Sequence, residues 1–256
     1  VTTSLSVDAH IDAIRSAVRR LASIASEVPE STRVPTCPRW DLRALVAHVV
    51  MVHAWAAASV RGHDGPPSRT QTEIRRSGED VVALLLTGAD DLVEALASAA
   101  DDARAMVFLL DAPPPRAFWA RRQAHETTIH AADALSAALG RPPTSIEATI
   151  PRELAVDGLD ELLCGFVPRG ASRWPVDRAF RLAVSPTDAD SGWLLDVGPD
   201  SVSTSSGATG DAADCRFSGT ASGLYLALWN RGGEVAESGR PGTLDTWRSV
   251  QRVRWS

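Results

Sequence analysis

A chain of 256 residues with 44% hydrophobic content can fill one large core or two ordinary ones, and a net charge of −6 argues against nucleic acid as its main partner. All 26 basic residues are arginine, which excludes Schiff-base and pyridoxal-phosphate chemistry because both need a lysine amine. No uninterrupted apolar run approaches the roughly 20 residues of a membrane span, and Cys37, Cys164 and Cys215 form no Cys-x-x-Cys, so they read as cytosolic thiols.

Residues 5–27 place Ile11, Ile14, Val18, Leu21 and Ile24 at helical spacing. A turn-rich piece, Val34–Trp40, leads into a second helix at about 41–60, with Asp41 suited to cap it. A third helix is predicted over 71–101, interrupted at Gly78 and Gly88. After Ala112-Pro-Pro-Pro115 a fourth runs to about Leu139 and stops at Gly140-Arg-Pro-Pro143. From about 150 the pattern changes. A helix at 151–164 precedes short runs at Arg178–Val184, Gly192–Val197, Ser201–Ser205 and Asp214–Phe217, which read as strands between Pro, Gly and Asp turns. A helix at Ser218–Trp229, a strand at Val235–Glu237 and a helix at Thr243–Val250 complete the pattern. The predicted fold is α+β with two domains: a helical bundle over 1–142 and a smaller α/β domain over 150–256, joined through Arg141–Ile150. Val1–Asp8 has neither the basic nor the apolar region of an export signal, so a cytoplasmic location is expected.

The chemistry concentrates on the fourth helix, where Trp119, Arg122, Glu126, His130 and Asp133 share a ridge. Glu126 and His130, at i and i+4, project from one face and can grip a single divalent cation. His125 and His130 do not form a metalloprotease pair: five residues apart, they diverge by roughly 140° around the helix. Taken alone, the ridge reads as a solvated charged stripe whose ion pairs contribute a few tenths of a kcal/mol each. The second helix shifts that balance. His53 falls within its apolar stripe of Leu42, Leu45, Val46, Val49, Val52 and Ala56, and His48 lies at the stripe's edge. Either could reach a neighbouring helix or serve as a hydrogen-bonded core residue, and spacing does not choose between them. His10 and His63 receive no role, and Cys37 reads as a structural member of its turn.

Val34-Pro-Thr-Cys-Pro-Arg-Trp-Asp-Leu-Arg-Ala-Leu-Val-Ala-His48 resembles the opening motif of the mycothiol-dependent maleylpyruvate isomerase family, within the DinB-like bundle superfamily. Arg122–Asp133 resembles that family's second motif, Arg-x-x-x-Glu-x-x-x-His-x-x-Asp, and Gly219–Gly233 is similar to part of its small sterol-carrier-like α/β domain. The resemblance implies a DinB-like four-helix bundle followed by that small domain. It implies Zn2+ held by His48, Glu126 and His130 with the fourth position open, and Asp133 orienting an imidazole. A low-molecular-weight thiol would bind there as thiolate and carry out S-transfer to, or cis–trans isomerisation of, an electrophilic small molecule. In an actinobacterium, which the arginine-only usage suggests, that thiol would be mycothiol. Arg231 is the candidate catalytic residue, since a guanidinium binds carboxylates bidentately; its competing role is to meet carbonyls at a helix C-terminus. Arg122 and Trp40 are the candidate thiol-cofactor contacts; Trp40 and Trp119 are both candidates to line the pocket, although large aromatics at bundle positions are more often core. The expected partners are the thiol and a small electrophilic substrate, with no nucleic acid and no membrane, in a monomer or homodimer. Two other classes compete. A metal-stabilised binding or sensor module would close the metal's shell with His53 or a cysteine. An iron-dependent DinB-like oxidative enzyme would use three histidines.

Overall fold

Ser6 opens the first helix by accepting the Ala9 amide at 3.1 Å, and α1 runs Val7–Glu27. The computed structural model describes residues 5–63, 65–109, 112–169, 174–207 and 213–251. It divides into two compact units, one built on Leu5–Phe108 and Ala112–Pro143, the other chiefly on the chain from Thr144 onward.

In the first unit Asp41 accepts the Ala44 amide at 2.8 Å and starts α2 (Leu42–Val60). By length and composition α2 could span a membrane, which the expectation of no such run did not foresee. Most of it is buried instead, as the core helix of the bundle. The third predicted helix is two: α3 (Gln71–Arg76) and α4 (Val81–Ser98). Gly78 takes φ 74°, a left-handed conformation that breaks the run, and Asp80 then caps α4 by accepting the Val82 and Ala83 amides. Gly88 lies inside α4, so it does not interrupt. The long α5 (Pro115–Leu139) has proline at its first position and ends at Gly140, φ 68°. α1 packs on α4 and α5, and α2 packs on the same two, giving a four-helix bundle with α3 against α2.

The second unit begins with α6 (Ser145–Ala148), a single turn inside the expected connection, closed by a capping box between Thr144 and Glu147. α7 (Arg152–Asp160) continues into a π-helical turn, Glu161–Phe166, where Thr204 Oγ1 donates to the Leu163 carbonyl at 2.7 Å. Strands β1 (Phe180–Pro186), β2 (Trp193–Val197), β3 (Val202–Ser206), β4 (Cys215–Gly219) and β5 (Ala236–Gly239) form one sheet in the order β3-β2-β1-β4-β5. Only the β1–β4 pairing is parallel. α8 (Ala221–Leu228), capped by Thr220, packs on α7, and α9 (Thr243–Val250) contributes the buried Trp247. The expected two-domain α+β architecture is therefore present, with a mixed sheet in the second unit.

Gly239 tests the edge of that sheet. It adopts φ 84°, and a Cβ built there would overlap the Asp214 carbonyl oxygen. Gly239→Ala combines backbone strain with overpacking against a rigid backbone and is expected to cost at least about 2 kcal/mol. Urea denaturation measures it; a midpoint equal to wild type would mean β5 does not dock on β4 in this way.

Candidate metal centre

The α5 ridge faces inward. Arg122, Glu126, His130 and Asp133 are 1%, 5%, 4% and 0% exposed, so the reading of a solvated stripe fails. Burying charges is costly unless they are paired, and the structure shows how these are paired. Glu126 Oε1 lies 3.0 Å from His130 Nε2 on its own helix and 3.0 Å from His48 Nε2 on α2. Its other oxygen, Oε2, accepts from Arg122 Nη2 at 3.2 Å. The two imidazoles meet edge to face, with ring centroids 4.9 Å apart.

The proton positions follow from the partners. Asp133 Oδ2 lies 2.9 Å from His130 Nδ1, and a carboxylate only accepts, so Nδ1 carries a hydrogen. That leaves Nε2 of His130 to face Glu126, either protonated or as a lone pair offered to a cation. Burial opposes charging His130, but Glu126 and Asp133 outweigh it and push its pKa up to about 9. Burial likewise opposes the Glu126 charge, yet His130, His48 and Arg122 hold its carboxyl well below the usual range. His48 is pushed down, by burial first and by His130, against the pull of Glu126. The cluster is thus built around one carboxylate that stays ionised.

Of the two α2 histidines, His48 reaches this cluster and His53 does not. His53 Nε2 is 2.8 Å from Thr127 Oγ1, whose single hydrogen goes to the Gln123 carbonyl at 2.7 Å. Thr127 must therefore accept from His53, which fixes the Nε2–H form and leaves Nδ1 bare in the core. His125 also points elsewhere, its ring meeting that of His10 at 6.2 Å.

Around the cluster, Trp40 lays its half-buried ring 4.9 Å from His48 and 5.9 Å from His130. Trp119 is a core residue, packed against Trp55, Phe108 and Phe118 with its Nε1 donating to the Met106 carbonyl. Sequence reasoning missed Thr36, Cys37 and Ser136. Thr36 Oγ1 donates to Asp133 Oδ1 at 2.5 Å, Cys37 Sγ donates to Asp133 Oδ2 at 3.3 Å, and Ser136 Oγ lies 2.9 Å from Thr36 Oγ1. In the second unit, Arg231 donates from Nη1 to the Trp229 carbonyl at 2.7 Å, the helix-end contact weighed against its catalytic role.

The donor set fits zinc. His48, Glu126 and His130 each offer one ligand atom, and these lie within 4.8 Å of one another. Tetrahedral zinc with bonds of 2.0–2.2 Å needs ligand atoms about 3.3 Å apart, close to the separations around Glu126 Oε1.

Residues 11–135 match the family model described as the mycothiol maleylpyruvate isomerase N-terminal domain, and residues 153–246 match the MDMPI C-terminal domain. A crystal structure of the mycothiol-dependent maleylpyruvate isomerase is 19% identical with a TM-score of 0.62, covering 93% of this chain and 96% of that one. Its histidine-to-alanine mutant is 16% identical with a TM-score of 0.60 and the same coverage. At these identities the two structures show the shared fold. No curated protein matches the chain. Two domain models matched in the family's order, over most of the chain and on the expected architecture, place this protein among the enzymes of the mycothiol-dependent maleylpyruvate isomerase family.

Proposed function

We propose that this protein is a zinc enzyme that uses mycothiol to isomerise a cis double bond in an electrophilic small molecule of the maleylpyruvate type. The convergence of His48 Nε2, Glu126 Oε1 and His130 Nε2 in a buried cluster carries this reading. The cluster counts three protein donors among the described residues, whereas zinc takes four. The residues that could close the shell are engaged elsewhere, His53 on Thr127 and Cys37 on Asp133. Zinc held by the three would supply a Lewis-acid position at which a thiol loses its proton.

The chain's own groups prepare that position. Asp133 holds the Nδ1 proton of His130, which keeps Nε2 as the ligand atom. Arg122 neutralises Glu126 from the far side, and the burial of all four groups keeps water from competing. We assign Trp40, the aromatic wall over both imidazoles, and Arg122, which pairs with Glu126, to the thiol cofactor. Arg231 is our proposed catalytic residue in the second unit, because a guanidinium binds a carboxylate bidentately. A thiol bound at the metal centre would supply a thiolate for reversible addition to the conjugated alkene, which would free that bond to rotate with nothing oxidised or reduced. S-transfer would differ only in that carbon takes up a proton and the thioether is released.

Metal analysis of protein purified without added metal is expected to give one zinc per chain; stoichiometric iron would overturn the thiol reading. Mycothiol at about 100 times its dissociation constant should then stabilise the zinc protein by about 2.7 kcal/mol. In His130→Ala that shift should vanish. No shift in the zinc-loaded wild type would favour a metal-stabilised binding module instead.

A further inference from the structure

The geometry points to the Val34–Trp40 loop as a positioning element of the metal centre, acting through Thr36 on Asp133. This rests on the proposed metal-binding role of His130 and adds a layer beneath it. Asp133 is fully buried, so the direction of its carboxylate depends on its donors. Oδ2 serves His130 Nδ1 at 2.9 Å, and Oδ1 takes the Thr36 hydroxyl at 2.5 Å, the shorter contact. A hydroxyl pulling on one oxygen fixes the plane of the carboxylate, and with it the rotation of the His130 ring. Ser136, one turn beyond Asp133 on α5, gives its own hydrogen to the Asp133 carbonyl at 2.6 Å. Its Oγ, 2.9 Å from Thr36 Oγ1, is then a second acceptor for the Thr36 hydrogen, but the Asp133 carboxylate is nearer and charged and so the stronger one.

The loop is firm enough to do this. Val34 N–H donates to the Trp40 carbonyl, Cys37 N–H to that of Val34 and Trp40 N–H to that of Cys37, at 3.2, 3.0 and 2.8 Å. Pro35 and Pro38 restrict φ between those bonds. One end of the loop thus holds Asp133 behind His130, while the other lays Trp40 over His48 and His130. Cys37 shares Oδ2 with His130 at the longer distance of 3.3 Å and acts in the same sense, more weakly.

Thr36→Val keeps the shape of the side chain and removes only the hydroxyl. Chelator competition on the whole protein is expected to show zinc affinity reduced about 10–100-fold, the range found when such supporting groups are lost. The ligand-field spectrum of the cobalt-substituted protein should shift as His130 reorients, and Thr36→Ser should restore both readouts. Should Thr36→Val not fold, Cys37→Ala, which removes the weaker donor to the same carboxylate, is expected to weaken zinc several-fold. Wild-type zinc affinity and an unchanged cobalt spectrum in a folded variant would overturn the proposal and leave Thr36 a packing residue. Neither readout needs turnover. A wild type that binds zinc but does not act on thiols would therefore sink only the proposed reaction, whereas one that binds no zinc would sink both.

Discussion

Glu126→Gln is expected to strip the protein of zinc and of thiol-dependent turnover together. Oε1 of Glu126 stands 3.0 Å from both Nε2 atoms, and Oε2 takes the Arg122 guanidinium. Glutamine preserves the volume but removes the only anion among the three candidate ligands. Its amide offers a carbonyl oxygen on one side and an N–H donor on the other, so it cannot face two imidazoles and a guanidinium as a pure acceptor. Breaking a buried charge pair from one side typically costs about 3–5 kcal/mol, and the variant should lose stability on that scale. Zinc affinity should fall at least about 100-fold, since a primary ligand weighs more than the supporting groups whose loss costs 10–100-fold. Metal content, kcat/KM and a denaturation curve on the same preparation read all three. A Glu126→Gln protein with full zinc and wild-type turnover would remove Glu126 from the centre.

A second large effect lies in pH. Burial pushes the His53 pKa down from 6.5 to about 4, and the Nε2–H form donating to Thr127 is neutral. The unfolded chain therefore binds a proton that the folded chain refuses. Stability from this residue is fully present above about pH 6.5 and falls away as the pH drops toward 4, by about 3 kcal/mol in all. His53→Gln keeps an N–H donor for Thr127 and does not titrate. Unfolding free energies of both metal-free proteins between pH 7 and pH 4.5 should diverge, with wild type losing more. Parallel profiles would show that His53 does not stay neutral on folding.

Much of the fold was legible because local chemistry marks its ends. Asp41 caps a helix where the pattern places it, and Gly140 stops α5. The distinction between Gly78 and Gly88 was not legible, since a glycine breaks a helix only where the chain can recap, as Asp80 allows. The π-helical turn was invisible for another reason: one extra residue per turn leaves the apolar composition of Glu161–Phe166 unchanged. At the site, the i,i+4 geometry put Glu126 and His130 on one face, but periodicity does not say which face is inside. His48 and His53 differ by about 140° around α2, and only the packing of α2 on α5 shows which of them meets Glu126. Thr36 and Asp133 are 97 positions apart, so their contact has no local signature at all.

The three donors stand on helix interiors, His48 in the second turn of α2, with Glu126 and His130 on successive turns of α5. Backbone ladders close on both sides of each, so the gap between donors is set by how two helices pack rather than by how a loop folds. The pair works like a calliper locked before anything is placed between its jaws. A calcium ion, which gathers six to eight oxygens at 2.3–2.6 Å, would have to force the helices apart and would still find mostly nitrogen. Discrimination between ions at such a site would rest on the packing of α2 against α5, which no metal-touching group supplies.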